Sequence, residues 1–137
     1  MNVARLVMAA IAALVVLLVL NMFVFPFVFP TGVSSKFVNT RSEPLLFLHL
    51  AALVATAVLL TMLCVLTRPA GTSLGAAGIG AVAGLLSSLP SSLHTHAMAH
   101  IQTSAEAAAV IWTTVTWSVA GAAAHWVYRW RGVRRGA

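Results

Sequence analysis

Histidine is the main titratable material of this chain: there are five, against two acidic side chains and one cysteine in 137 residues. Three of them, His94, His96 and His100, fall in one short polar stretch, Ser-Ser-Leu-His-Thr-His-Ala-Met-Ala-His-Ile-Gln, at 91–102. If that stretch is helical, His96 and His100 are four apart and share a face. This is a common spacing for two ligands on one metal. His49, about one turn into a separate apolar run, can add a third ligand, with His94 as a substitute. Neutral imidazole suits zinc, copper or iron, and two histidines on different helices can instead hold a haem. The competing reading is a polar loop that contains histidine, because H-x-H-x-x-x-H has no flanking carboxylate or cysteine to reinforce it. His49 carries more weight, since an ionisable group inside an apolar span is costly and marks a functional position by default. Its alternative is a hydrogen bond to a loop carbonyl near the membrane surface.

Glu106 offers a second chemistry, and its meaning depends on where its helix begins. With a start at Ser91, Glu106 lies well inside the helix and suits proton or cation coupling. With a start at Thr103, Thr103-x-x-Glu106 is a capping box that satisfies backbone donors, which is the favoured reading. The remaining histidine, His125, falls near the inner end of the last apolar run and is read as interfacial.

Most catalytic equipment is missing from the sequence. There is no Asp to orient a histidine and no phosphate-binding glycine loop. Enzymatic activity is therefore expected only as a histidine–metal oxidase or hydrolase. Cys64 is alone, which excludes an internal disulfide and a C-x-x-C redox pair.

The elements that must position these groups follow from composition. The chain is 61% apolar and only 7% charged, with a mean hydropathy of +0.99. A soluble domain carries roughly 25% charged residues, so a soluble globular fold is excluded, as are a disordered chain and a disulfide-stapled domain. The sequence predicts an all-α integral membrane protein, a single domain over 1–137 whose four transmembrane helices form an up-down bundle. The spans are expected at about 6–29, 44–67, 72–89 and 104–127. An outer, histidine-containing connection is expected over 90–103. Arg5 and the apolar run after it would suit a signal peptide, but no small-x-small cleavage site follows, so the segment is read as the first span. Pro26 should kink or stop that span, and Pro90 should end the third.

The formal charge of +6 does not point to nucleic acid, because the positive residues sit at the ends of apolar runs. With both termini inside, the inner face holds Arg5, Arg68, Arg129, Arg131, Arg134 and Arg135, and the outer face only Lys36 and Arg41. This distribution predicts an N-in/C-in orientation, an even number of spans, and residence in a bacterial inner membrane. Trp126, Tyr128 and Trp130 would form an aromatic belt at the inner surface.

The third span carries Ala76, Gly80, Gly84 and Ser88 four apart, a nearly bare face for close helix packing. The expected occupant is a partner helix, from another copy or a larger membrane complex. The leading expectation is thus a small polytopic membrane subunit in the lipid bilayer that packs against other membrane chains. On this reading it also has an outer-face site for a transition metal (Cu, Zn or Fe) or haem at His49, His94, His96 and His100. The alternatives are a small transporter or channel that uses Glu106, and a histidine–metal membrane enzyme.

Overall fold

Apolar residues without strand-like alternation or internal polar breaks favour helices, since a helix satisfies its own backbone donors and acceptors. The computed structural model describes residues 3–24, 46–67, 72–98 and 103–133, and these are almost wholly helical, with no strand among them. Helix α1 spans Val3–Leu18 and continues as a π-helical segment, Val19–Val24. Helix α2 spans Leu46–Leu66, α3 Ser73–Met98 and α4 Thr103–Val133. All four are long and apolar enough to cross a membrane. Pro26 lies outside the described residues.

Two boundaries differ from expectation. The third helix does not stop at Pro90 but runs on to Met98 with the proline inside it. A proline removes one backbone donor, here the one that would meet the Leu86 carbonyl. Prolines are tolerated in spanning helices when neighbouring groups compensate, and the turn after Pro90 is held to α4 by a hydrogen bond from Ser92. The residues expected as a connection over 90–103 are therefore mostly the end of α3. The fourth helix extends beyond the expected 127, to Val133.

Helix α4 is the centre of the bundle and packs against α1, α2 and α3. Contact is most extensive between α3 and α4, and α1 lies against both α4 and α2. The core is built from small side chains: Ala9, Ala13, Ala57, Cys64, Ala76, Ala120 and Ala124, with Leu17 and Leu60 the only large apolar residues buried among those described. The large aliphatics point outward. In α1 the exposed residues Val3, Val7, Ile11 and Val15 recur every fourth position, a row that Val19 of the π-helical segment continues, as do Ile111, Val115 and Val119 in α4. Folding in water would bury the larger side chains first; this chain does the opposite.

Candidate functional site

Two regions hold the residues singled out by the sequence: the seam between α3 and α4, and the end of the bundle that carries histidine. The seam sets the relative height of α3 and α4.

Along α3 the stripe Ala76, Gly80, Gly84 meets α4 in descending order of residue number. A Cβ on Gly80 would collide with the Trp117 carbonyl, and one on Gly84 would stand 3.0 Å from the Thr114 Cα and 3.1 Å from the Thr113 carbonyl oxygen. On the facing helix, a Cβ on Gly121 would stand 2.7 Å from the Ala76 carbonyl oxygen. The two helices are therefore antiparallel and approach backbone to backbone. The Cys64 thiol of α2 joins the same point, donating to the Ala76 carbonyl at 3.9 Å. Ser88, the last member of the stripe, donates to its own helix at the Gly84 carbonyl, 2.7 Å away.

The bare face of α3 is thus occupied within the chain, by Thr113, Thr114, Trp117, Ser118 and Gly121. The helix that the stripe meets is α4 of the same chain. The signal in the sequence was Thr114, Ser118 and Gly121, a second row of small residues three and four apart. Gly78, on the other side of α3, meets nothing within 4 Å.

At one end of the seam, Thr72 receives the Gly75 N–H on its Oγ1 at 3.1 Å and caps α3. Close by, Ser73 Oγ and His125 Nδ1 are 3.5 Å apart, so His125 sits beside the first turn of α3. At the other end, Ser92 Oγ donates to Glu106 Oε2 at 2.8 Å. Glu106 lies in the first turn of α4, as the capping reading expects, and it also holds α3 to α4. Among the described residues, Ser92 and Glu106 belong to two antiparallel helices, α3 and α4.

The histidines divide as follows. His94 is exposed in the last turns of α3, beyond Ser92. His49 is exposed in the first turn of α2. From the Cys64–Ala76 contact, His49 lies about 22 Å along α2 and His94 about 27 Å along α3, at 1.5 Å per residue. That contact joins the end of α2 to the start of α3, so each histidine lies at the far end of its own helix from it. His96 belongs to α3, but its side chain, like the whole of His100, lies outside the described residues. Among the described residues no three His, Cys, Asp or Glu side chains converge as a metal site.

Five other polar groups in the spans are bonded within their own helices. Asn21 Nδ2 donates to the Leu17 carbonyl at 2.8 Å, and Thr61 Oγ1 to the Ala57 carbonyl at 2.7 Å. Thr113, Thr114 and Thr116 donate to the carbonyls of Ala109, Val110 and Thr113 at 2.9, 2.8 and 3.0 Å. Back-bonding of this kind satisfies a hydroxyl without a partner helix, and it takes those hydroxyl protons away from any continuous polar path.

The first half of α2 is unlike the rest. Of the side chains described between Phe47 and Ala55, Leu53 alone is even half-buried; Phe47, His49, Leu50, Ala51, Ala52, Val54 and Ala55 are all exposed. This part of α2 presents apolar, small and titratable groups around nearly its whole circumference. Comparison with protein-family models, curated proteins and solved structures finds no match to this chain.

Proposed function

We propose that the protein is a small membrane-embedded subunit that packs through the first half of α2 against other membrane helices, from a second copy or a larger complex. The observation that carries this is the uncovered circumference of α2 from Phe47 to Ala55. Lipid covers valine and leucine as well as a protein core does. It is a poor solvent for the His49 ring and gains little from the exposed alanines, which instead allow close helix approach. The membrane setting is supported by the outward aliphatics around a core of alanine. An N-in/C-in orientation is supported by the six positive charges at one side against two at the other, as expected for an inner membrane.

The test is a cysteine cross-link in native membranes. With Cys64 replaced by serine, Ala52→Cys should give a cross-linked species larger than the 14.3 kDa chain. Ile111→Cys, on the lipid-facing side of α4, should not. A chain that stays monomeric in membranes with both variants overturns the proposal.

A second reading, a histidine site for zinc, copper, iron or haem, is favoured by one observation. The continuation of α3 through Pro90 carries His94 and His96 to the end of that helix far from the Cys64–Ala76 contact, and His49 lies at the far end of α2 from the same contact. Metal content and an absorption spectrum of the purified protein test it. A colourless sample that takes up no added zinc, copper or haem removes it.

A further inference from the structure

The seam between α3 and α4 ends on two polar side chains. Ala76 faces Gly121, and one turn beyond Gly121 on α4 stands His125. Its Nδ1 is 3.5 Å from the Oγ of Ser73, the first residue of α3. A serine hydroxyl against a histidine nitrogen is the pairing of a nucleophile with its base, and such contacts are often this long before a substrate tightens them. In sequence, Ser73 is the centre of Gly71-Thr-Ser-Leu-Gly75, a G-x-S-x-G segment. No strand leads into it among the described residues, but the serine stands where that motif puts it, at the start of a helix.

Helix α3 supplies a further requirement. In its first turn the Gly75 N–H is taken by the Thr72 hydroxyl and the Ala76 N–H by the Thr72 carbonyl. The N–H groups of Ser73 and Leu74 have no acceptor within the helix and point out of its end. They suit the oxyanion that forms on a carbonyl attacked by Ser73. Large apolar side chains flank the pair: Leu74 is 83% exposed, and Trp126, next to His125, is 57% exposed. Ser73 also begins an apolar span. Both features suit an acyl chain at a membrane surface. We propose that Ser73 and His125 are the nucleophile and general base of an acyl-transfer site for carboxylic esters of membrane amphiphiles. This activity lies outside the histidine–metal chemistry expected from the sequence, and it does not depend on what covers α2.

In the first step Ser73 Oγ bonds to the ester carbonyl carbon, its proton passes to His125 Nδ1, and the carbonyl oxygen takes the displaced electron pair. Return of that pair expels the alcohol, which leaves with the proton from His125, and the acyl group stays on Ser73. Water, activated by the same ring, then releases it as the carboxylic acid.

The substrate class rests on the membrane setting, whereas the pair itself does not, and the experiment separates the two. The full chain in mild-detergent micelles is treated with an alkyl fluorophosphonate, whose phosphorus bonds to an activated serine with loss of fluoride. Mass spectrometry should place the label on Ser73. Ser73→Ala should abolish labelling, and Ser88→Ala, far along the seam, should leave it unchanged. His125→Gln should slow it about a hundredfold or more. The rate in the unaltered protein should rise between about pH 5 and pH 8, as the ring loses its proton, and His125→Gln should remove that rise. Nitrophenyl decanoate should be hydrolysed in preference to nitrophenyl acetate. Circular dichroism checks that each variant keeps its helices. No label on Ser73, labelling that Ser73→Ala retains, or a rate that His125→Gln leaves unchanged overturns the proposal. Labelling of Ser73 without preference for the longer ester overturns the assignment of substrate.

Discussion

The α3–α4 seam and the first half of α2 are made from similar residues and behave in opposite ways. Both are rich in alanine or glycine with interspersed leucine and valine. In the seam, small residues on one helix oppose small residues on the other, so backbone meets backbone and the surface is consumed. In α2, Ala51, Ala52 and Ala55 have no facing row among the described residues and are exposed. A stripe of small residues thus specifies close packing but not the identity of the partner. That is decided by whether a complementary stripe exists at the matching height of a neighbouring helix.

The sharpest way to break this comparison is to add methyl groups along α3 and α4. At Gly80 the added carbon meets the Trp117 carbonyl, which is backbone and cannot swing aside. Gly80→Ala should cost about 3 kcal/mol, in the range of severe overpacking. Gly121→Ala, against the Ala76 carbonyl oxygen at 2.7 Å, should cost about 2 kcal/mol. Gly84→Ala, with its nearest contacts at 3.0–3.3 Å, should cost about 1 kcal/mol. Gly78→Ala meets nothing and should be neutral or gain up to about 0.5 kcal/mol from helix propensity. Unfolding in mixed micelles, followed by circular dichroism, checks the order. Equal effects at Gly78 and Gly80 would mean that the seam is not closed.

Pro90 gives the next effect, in the opposite direction. Since α3 is helical on both sides of it, Pro90→Ala restores the missing donor to the Leu86 carbonyl and should stabilise the protein by about 1–2 kcal/mol. A loss of stability would show instead that the proline bend is what brings Ser92 to Glu106. That contact is itself testable: Ser92→Ala should cost about 0.5–1.5 kcal/mol, the range for interhelical hydrogen bonds in membranes. Glu106→Gln should cost less, because the amide oxygen still accepts from Ser92. Both are read by the same unfolding assay.

How much of this was legible in the sequence differs from element to element. The four helices were, because ten charged residues in 137 leave little else for long apolar runs to form. The stripe Ala76–Gly80–Gly84 was legible as a packing face, but its occupant was not: Thr114, Ser118 and Gly121 are just as suited to meeting a second chain. Pro90 was misleading, since the rule that prolines end helices weakens where surrounding protein can make up a lost hydrogen bond. Glu106 was legible as a residue of the first turn, whereas its bond to Ser92 depends on the register of two helices, which no local pattern encodes. That His49 and His94 each lie far from the Cys64–Ala76 contact follows from helix lengths. Convergence on a ligand is a matter of side-chain direction, and spacing along one helix does not set it.

The smallest expected effect belongs to the open half of α2, and it sharpens the comparison most. Leu50→Ala and Val54→Ala remove side chains that are 47% and 42% exposed. In detergent each should change the stability of the isolated chain by less than about 0.5 kcal/mol, as for surface positions away from packed features. The same changes should reduce cross-linking through Ala52→Cys in native membranes, because they alter the surface that the partner helix covers. A seam residue would behave in reverse, destabilising the chain itself and changing association only through unfolding. If Leu50→Ala and Val54→Ala leave both stability and cross-linking untouched, lipid alone covers α2. The two regions would then differ only in that one of them found its complement within the chain.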